Sequence, residues 1–177
     1  MQPTMQPVSP APLQAPISLL EKTPGILELL LRDLPQETLQ WKPAADRWSI
    51  AEVLDHLLVI EKLYEQRTHR IVLEDSPTLS KYEALPEAEL QKKSLRRYLE
   101  EFIPLRRAFV FYLHSVPAYA AARTGKHHEL GTITLSQMLH ELANHDLGHL
   151  RQIAELYRAH AFHPYAGPFQ KYSNPKP

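Results

Sequence analysis

The sequence predicts an all-α domain built as a four-helix bundle. Four stretches of the 177 residues carry apolar side chains at the three- and four-residue spacing of an amphipathic helix, and none shows the two-residue alternation of a half-buried strand. Helices of about 25 residues are about 37 Å long, a length typical of bundle helices. A chain of this size forms one domain and buries a core without disulfide bonds.

The first predicted helix runs from about Ile17 to Asp33 and contains a proline. Pro24 either kinks this helix or opens a second segment that Thr23 caps. The third predicted helix runs from about Glu87 to Ser115. Its apolar stripe is formed by Leu95, Leu99, Phe102, Phe109 and Leu113, and Pro104 is expected to kink it.

Capping boxes mark the starts of the second and fourth predicted helices. Ser49 stands three residues before Glu52, and Thr134 stands three residues before Gln137. These helices are expected to end near residues 73 and 159. The connections before and after the third helix are about 13 and 18 residues long, beyond the usual bundle turn. At least one connection is therefore expected to cross an end of the bundle, which leaves the topology open.

Proline-rich segments flank the helical region. Residues 1–16 contain five prolines among polar residues, so we expect a disordered or draped tail. Residues 161–177 are again rich in Pro and Gly, so an irregular tail is expected there. The domain itself is assigned to residues 17–160.

Composition excludes several classes of protein. The formal net charge is zero, so no surface for nucleic acid or anionic membrane is indicated. No apolar run is long enough to span a membrane, and no basic segment precedes Lys22, so a soluble cytoplasmic protein is expected. The chain has no cysteine, which excludes disulfides, Cys-ligated metal and a thiol nucleophile of its own.

Three of the ten histidines fall on faces that should point into the bundle. In the fourth helix, His145 and His149 lie in the same stripe as Met138, Leu142 and Leu156. In the second helix, His56 shares a face with Val53, Val59, Ile60 and Leu63. Burying three imidazoles without partners is costly, whereas a shared metal ion satisfies them. For each histidine alone, a hydrogen-bonded core or rim position is the more common explanation. Taken together, the three make a shared metal site and hydrogen-bonded core positions equally good explanations.

Other polar residues have structural or supporting interpretations. Gln152 shares the histidine face and is a candidate to orient a metal ligand, the alternative being a core hydrogen bond. Glu52, one turn before His56, is interpreted first as a cap and second as such a support. His128, in the loop before the fourth helix, is a weaker candidate at the bundle mouth. His69, His114 and His140 are expected at the surface.

Two charged features are interpreted as structural. Asp146 points about 100° away from His145, so an ion pair or support of a neighbouring helix is expected. Basic residues cluster on the third helix with acidic residues among them, which favours a solvated face. These basic residues are Lys92, Lys93, Arg96, Arg97, Arg106 and Arg107.

Two sequence blocks resemble the DinB-like (DinB/YfiT) family of bacterial metal-binding four-helix bundles. The first is W-S-I-A-E-V-L-D-H-L over residues 48–57, and the second is H-D-L-G-H-L-R-Q over residues 145–152. The segments Leu39–Pro43 and Gly131–Leu135 also occur where the family pattern has them. The resemblance covers about residues 17–160.

The resemblance implies an up-down-down-up bundle and a divalent ion, zinc or nickel, held by three histidines. Carried over by position, these ligands are His56, His145 and His149, the residues that the helical faces also select. Some members of the family are transferases or isomerases that use a low-molecular-weight thiol, and many have no assigned reaction. A homodimer is expected from family habit.

The chemistry suggested by these residues is a metal-activated nucleophile acting on a small molecule. Zinc proteases carry Glu directly after the first ligand, whereas this chain has Asp146 and a wider ligand spacing, so proteolysis is not expected. A thiol-dependent S-transferase and a metal-dependent hydrolase both stay open, and no catalytic residue is assigned. The rival hypothesis is a non-enzymatic bundle with a structural or vestigial metal site that binds a partner.

Overall fold

The computed structural model describes residues 11–83 and 93–177 of the chain. Four long helices form the predicted bundle, and a short helix and a two-stranded antiparallel hairpin lie in the connections. The helices are α1 (Gln14–Leu31), α2 (Gln36–Gln40), α3 (Ile50–Leu73), α4 (Leu95–Ser115) and α5 (Leu135–Tyr157). The strands are β1 (Thr124–His127) and β2 (Gly131–Thr134). None of the described helices is long and apolar enough to cross a membrane.

The order of side-chain contacts shows that α3 and α4 are parallel. Asp55 accepts a hydrogen bond from Tyr98, and two turns further along both helices Glu61 accepts from Arg106. A parallel pair of helices consecutive in the bundle needs a connection that travels the full helix length. The long segment between Leu73 and Leu95 provides it.

The same reasoning gives the directions of α1 and α5. Ser136 in α5 donates to the carbonyl oxygen of Ala11, just before α1. Further along both helices, Thr23 donates to Asp146. The contacts follow the same order in both helices, so α1 and α5 are parallel. In contrast, α3 and α5 are antiparallel, as shown by the pairs His56–His149 and Tyr64–Glu141. The bundle is therefore up-down-down-up, as the family resemblance implied.

Caps set the helix starts. Ser49 Oγ accepts from the Glu52 backbone N–H while Glu52 accepts from the Ser49 N–H, so the predicted capping box of α3 is confirmed. The box of Thr134 and Gln137 at the start of α5 is confirmed in the same way.

The start of the third long helix differs from the prediction. Within the described residues, α4 begins at Leu95. Ser94 has an extended backbone and caps the helix, because its side chain accepts a hydrogen bond from the Arg97 N–H. The predicted start at Glu87 lies outside the described residues.

Both proline-rich flanks contain more helix than the sequence predicts. Helix α1 begins at Gln14, with Pro16 in its first turn, where a missing N–H costs nothing, and it continues unbroken through Pro24. Residues 1–10 lie outside the described residues. After α5, short helical turns span Arg158–Phe162, His163–Tyr165 and Gly167–Tyr172, so the segment after 160 is not irregular throughout. Prolines begin two of these turns, where they are favoured.

The structure contains a β-hairpin, β1 and β2, that the all-α prediction did not include. Its strands are four residues each, too short for alternation to show in a sequence. Gly125 in β1 packs so tightly that a Cβ would lie 2.9 Å from Leu79 Cδ2. The segment after α3 pairs with β1 through the bonds Leu79 N–H to Lys126 O and Lys126 N–H to Pro77 O, which holds this crossing connection against the bundle.

A buried polar layer divides the core into two apolar clusters. Thr23, Glu61, Arg106 and Asp146 contribute one side chain from each long helix, and all four are almost fully buried. Along α4, Phe102 belongs to one cluster and Phe109 to the other. The interpretation of Arg106 as part of a solvated face is therefore wrong: it lies within the apolar stripe, where two carboxylates pair with it. Asp146 supports neighbouring helices, as predicted.

Candidate metal centre

Three imidazoles converge near one end of the bundle. His56 Nε2 lies 2.9 Å from His145 Nε2, which lies 3.2 Å from His149 Nε2. One nitrogen of each ring lies within 4.8 Å of the others. Nitrogens bound to one zinc ion at about 2.0–2.1 Å are about 3.3 Å apart in tetrahedral geometry. The structure therefore brings together the three histidines selected from the sequence, at separations that suit a shared ion.

The helix ends determine where these rings meet. His56 follows the Ser49 cap by about two turns of α3, and His149 precedes the last residue of α5 by about two turns. Because α3 and α5 are antiparallel, both positions lie near the same end of the bundle. His145, one turn earlier on α5, completes the group, and all three side chains are half-buried.

Hydrogen bonds at the outer ring nitrogens orient two of the histidines. His149 Nδ1 lies 2.8 Å from Gln152 Oε1, and a carbonyl oxygen only accepts, so this Nδ1 carries the proton. His149 Nε2 is then left with its lone pair towards the centre of the group, as a metal ligand requires. His56 Nδ1 bonds the Tyr82 hydroxyl at 3.0 Å. Gln152 thus takes the supporting position that its place on the helix face predicted.

The third ring is different. His145 Nδ1 is buried and has no hydrogen-bond partner among the described residues. With its Nε2 facing two other imidazole nitrogens, His145 is poorly satisfied by protein groups alone. The donor set, the nitrogen separations and this unsatisfied ring all fit a divalent ion at the centre of the group.

The protonation state of the group also fits a ligand role. Burial and the nearby His149 and His145 rings lower the pKa of His56 to about 4. Burial, with the His149 ring, lowers the pKa of His145 to about 4. At neutral pH these two imidazoles are therefore uncharged and have lone pairs available for a metal ion.

Two aromatic residues at the mouth of the group were not selected from the sequence. Trp48 stacks on His149 with 6.1 Å between ring centroids and an interplanar angle of 11°, and it lies 5.1 Å from the His56 ring. Trp48 directly precedes the Ser49 cap, so its place in the W-S-x-x-E block was the available signal. Tyr82 gave no periodic signal, because it lies in a connection whose path depends on tertiary contacts.

The connection that carries Tyr82 is held by an arginine. The buried Arg67 donates from Nε and Nη2 to the Ser80 carbonyl oxygen, at 3.1 and 2.6 Å. With the β1 pairing at Leu79, this anchor fixes the chain two residues before Tyr82. The tyrosine nevertheless keeps 40% of its surface exposed, so it lies at the rim of the site.

The other predicted supporting residues, Glu52 and His128, have polar partners outside the group of three histidines. Glu52 bonds Ser49 and pairs with Lys42 Nζ at 2.7 Å, so it acts as a cap and ion-pair partner. His128 contacts Glu129 and the ring of His127 in the hairpin turn. Each side chain is held by these local partners, so the structure adds no support for the predictions that Glu52 or His128 orients a metal ligand.

The histidines expected at the surface differ in their exposure. His114 is exposed. His69 is half-buried against the Tyr112 ring, and half-buried His140 donates from Nδ1 to the Ser136 carbonyl oxygen. Neither of these two side chains belongs to the metal-binding group.

No described carboxylate joins the group of three histidines. Asp146, the residue after His145, points into the buried polar layer, where Arg106 and Thr23 donate to it. It is 1% exposed and unavailable to a substrate. The site thus differs from a zinc-protease centre, in which a glutamate acts as general base.

A comparison with protein families identifies the chain. Residues 19–153 match the family model described as the DinB superfamily. The protein belongs to the DinB superfamily. This assignment confirms the resemblance seen in the two histidine-containing blocks.

A solved DinB-like structure has the same fold. YfiT from Bacillus subtilis, described as a probable metal-dependent hydrolase with an unusual four-helix bundle topology, superposes with a TM-score of 0.76 at 21% sequence identity. The match covers 90% of this chain and 93% of YfiT, so the likeness extends over most of both chains. No curated protein sequence matches the chain.

Proposed function

We propose that this DinB superfamily protein is a metal-dependent hydrolase of a small molecule. The observation that carries the proposal is the convergence of three imidazole nitrogens from α3 and α5, with no protein side chain filling a fourth ligand position among the described residues. An ion with three histidine ligands keeps open positions, which distinguishes a catalytic from a structural zinc site. The description of YfiT supports the same reaction class.

Zinc or nickel suits the donor set, because imidazole nitrogen is a preferred ligand of both. The ion would be held by His56, His145 and His149. When bound, it supplies a positive centre at which the pKa of a water molecule or a thiol falls towards neutrality. Binding by three neutral imidazoles leaves that positive charge uncompensated, which favours this effect.

The residues around the ligands have distinct tasks in this proposal. Gln152 keeps the proton on His149 Nδ1, and the Tyr82 hydroxyl orients His56. Trp48 stacks on the His149 ring and lies beside the tilted His56 ring, so it would limit the approach of water from that side. Among the described residues no carboxylate joins the three histidines, and Asp146 is held in the buried polar layer by Arg106 and Thr23.

A thiol-dependent transfer reaction is the second candidate, and the lack of a carboxylate beside the histidines, within the described part of the chain, favours it. A free thiol has a pKa near 8.5, far below that of water, so it needs less help to lose its proton. Because the chain has no cysteine, the thiol would have to be a soluble, low-molecular-weight molecule. The same histidine group serves either reaction.

One assay distinguishes these candidates. Purified protein is loaded with zinc or nickel and incubated with a panel of small esters and amides, and separately with an electrophile plus bacillithiol-like, mycothiol-like or glutathione-like thiols. Hydrolysis without thiol, lost in His145→Ala and retained in the surface variant His114→Ala, supports the hydrolase. Product formation only with a thiol supports the transferase.

A non-enzymatic bundle is the remaining outcome of this test. If the loaded protein binds one ion but neither hydrolyses nor conjugates any substrate in the panel, the metal has a structural role and the proposal of an enzyme is contradicted. A protein that binds a partner through this fold would then be the better description.

A further inference from the structure

Gly148 lies in the middle of α5, between the two ligands His145 and His149. A glycine inside a helix costs about 1 kcal/mol relative to alanine. A Cβ built on Gly148 meets no described atom within 4 Å, so packing inside the protein does not explain the glycine. A wide-open depression of about 560 Å³ lies on the outer surface of the helix, lined by Gly148 and by residues on both sides of it, the exposed Leu147 among them.

The depression has two different sides. At 100° per residue, His145 and Gln152 lie about 60° and 40° to one side of Gly148. Asn144 and Arg151 lie about 40° and 60° to the other side. A ligand seated over Gly148 therefore meets the histidine group on one side and a positive, hydrogen-bonding pair on the other. We call this depression the Gly148 notch.

The charge of Arg151 is available to a ligand. Arg151 forms no ion pair with a described carboxylate. Glu155, the nearest acidic residue along the helix, is close enough for Arg151 to contribute to lowering its pKa. The Glu155 carboxylate is nevertheless bonded to Arg158 Nη1 and to the Lys176 backbone N–H. Within the described residues, the Asn144 side chain makes a single long hydrogen bond, 3.4 Å from Nδ2 to Glu141 Oε2.

We propose that the Gly148 notch binds a carboxylate group of the substrate. Arg151 supplies the counter-ion and Asn144 a second donor, while the reacting group of the same molecule faces the three histidines. An arginine guanidinium matches a carboxylate with two parallel hydrogen bonds, which fixes the orientation of the molecule as well as its position. This inference rests on the proposed function and adds to it a substrate class, small organic carboxylates.

The test uses two probes of equal length. Glutarate has a carboxylate at each end of five carbons, and pentanoate has only one. Calorimetric titration of both into the nickel-loaded protein is compared for wild type, Arg151→Gln, Gly148→Leu and the control Arg107→Gln, which removes an exposed arginine from α4. Metal affinity and melting temperature are measured first, to check that each variant is folded and loaded with nickel. None of these substitutions removes a metal ligand.

We expect wild type and Arg107→Gln to bind glutarate more tightly than pentanoate. Loss of one solvent-accessible ion pair should reduce the advantage of glutarate by about fivefold in Arg151→Gln. Gly148→Leu should abolish the advantage while leaving the helix at least as stable, because leucine is a better helix former than glycine.

If Arg151→Gln binds metal normally and prefers glutarate over pentanoate as strongly as wild type does, the inference is overturned and the proposed function is left intact. Failure of wild type to bind the metal at all contradicts the proposed function itself, and the inference falls with it. Retention of the glutarate advantage in Gly148→Leu would also overturn the inference, since a leucine side chain there would stand between Arg151 and the histidine side of the notch.

Discussion

The guanidinium of Arg106 donates to both carboxylate oxygens of Asp146, the residue directly after the metal-ligand candidate His145. The same guanidinium bonds Glu61 and the carbonyl oxygen of Leu20. Arg106 on α4 thus reaches three other helices from one buried position. Burial disfavours its charge, but the Glu61 and Asp146 carboxylates raise the pKa of Arg106 above its ordinary value, so the group stays ionised.

Replacing Arg106 should be strongly destabilising. Arg106→Met leaves two buried carboxylates without a counter-ion, and removing one partner of such a cluster costs about 3–5 kcal/mol. The exposed neighbour Arg107→Met should change the free energy of unfolding by less than about 0.5 kcal/mol. Urea unfolding of the two variants measures both values.

A compensating variant separates the charge effect from packing. Converting Glu61 and Asp146 to leucine together with Arg106→Met removes all three charges, which should restore most of the lost stability. If Arg106→Met alone costs less than about 1 kcal/mol, the buried layer does not hold the four helices together.

The pattern of helical faces predicted the group of three histidines but not the burial of Arg106. His56, His145 and His149 stood out because imidazoles on an apolar face need partners. Arg106 also lies on an apolar face, about 40° from Phe102, yet its membership of a charged run pointed to solvent. Its partners Glu61 and Asp146 come from other helices, and only the packing of α4 against α3 and α5 brings them together.

Contacts across connections were harder still to predict. Tyr82 reaches His56 because Arg67 and β1 fix the segment before it, and neither interaction has a local sequence pattern. In contrast, the capping box of Ser49 and Glu52 is contained within four residues. It was therefore predictable to the residue.

The capping box gives a pH-dependent prediction. Burial opposes the charge of Glu52, but Lys42 and the Ser49 N–H and hydroxyl outweigh it and lower the pKa of Glu52 below 4.5. A carboxylate with a lowered folded-state pKa stabilises the fold above its unfolded pKa, and this contribution is lost as pH falls through the folded value. The free energy of unfolding of wild type should exceed that of Glu52→Gln by about 1 kcal/mol at pH 7, and the difference should shrink as the pH falls through the lowered pKa of Glu52.

Unfolding by urea at several pH values between 3 and 7 measures this difference. Glu28→Gln, an exposed change on α1, serves as the control and should show no comparable pH dependence. A difference between wild type and Glu52→Gln that is constant across this range would show that the charge of Glu52 does not contribute.

Gln152 should determine how tightly the ion is held. Gln152→Leu removes the acceptor of His149 Nδ1, and loss of such a partner typically costs about 10–100-fold in metal affinity. Tyr82→Phe should cost less, about threefold, because water can replace the hydroxyl at this exposed position. Competition with a chromophoric chelator measures both constants.

Gln66→Leu, an exposed substitution on α3, is the matched control for this comparison and should bind metal as wild type does. Unchanged affinity in Gln152→Leu would mean that Gln152 does not orient His149 in the loaded protein.

The location of the ion tests the central claim most directly. Crystals of the zinc-loaded protein, measured on both sides of the zinc absorption edge, should show one strong anomalous peak about 2.0–2.2 Å from the Nε2 atoms of His56, His145 and His149. The peak should be absent from crystals of His145→Ala prepared in the same way. An anomalous zinc peak found elsewhere in place of this one would contradict the three-histidine metal centre, as would a full-occupancy peak that persists at this position in His145→Ala.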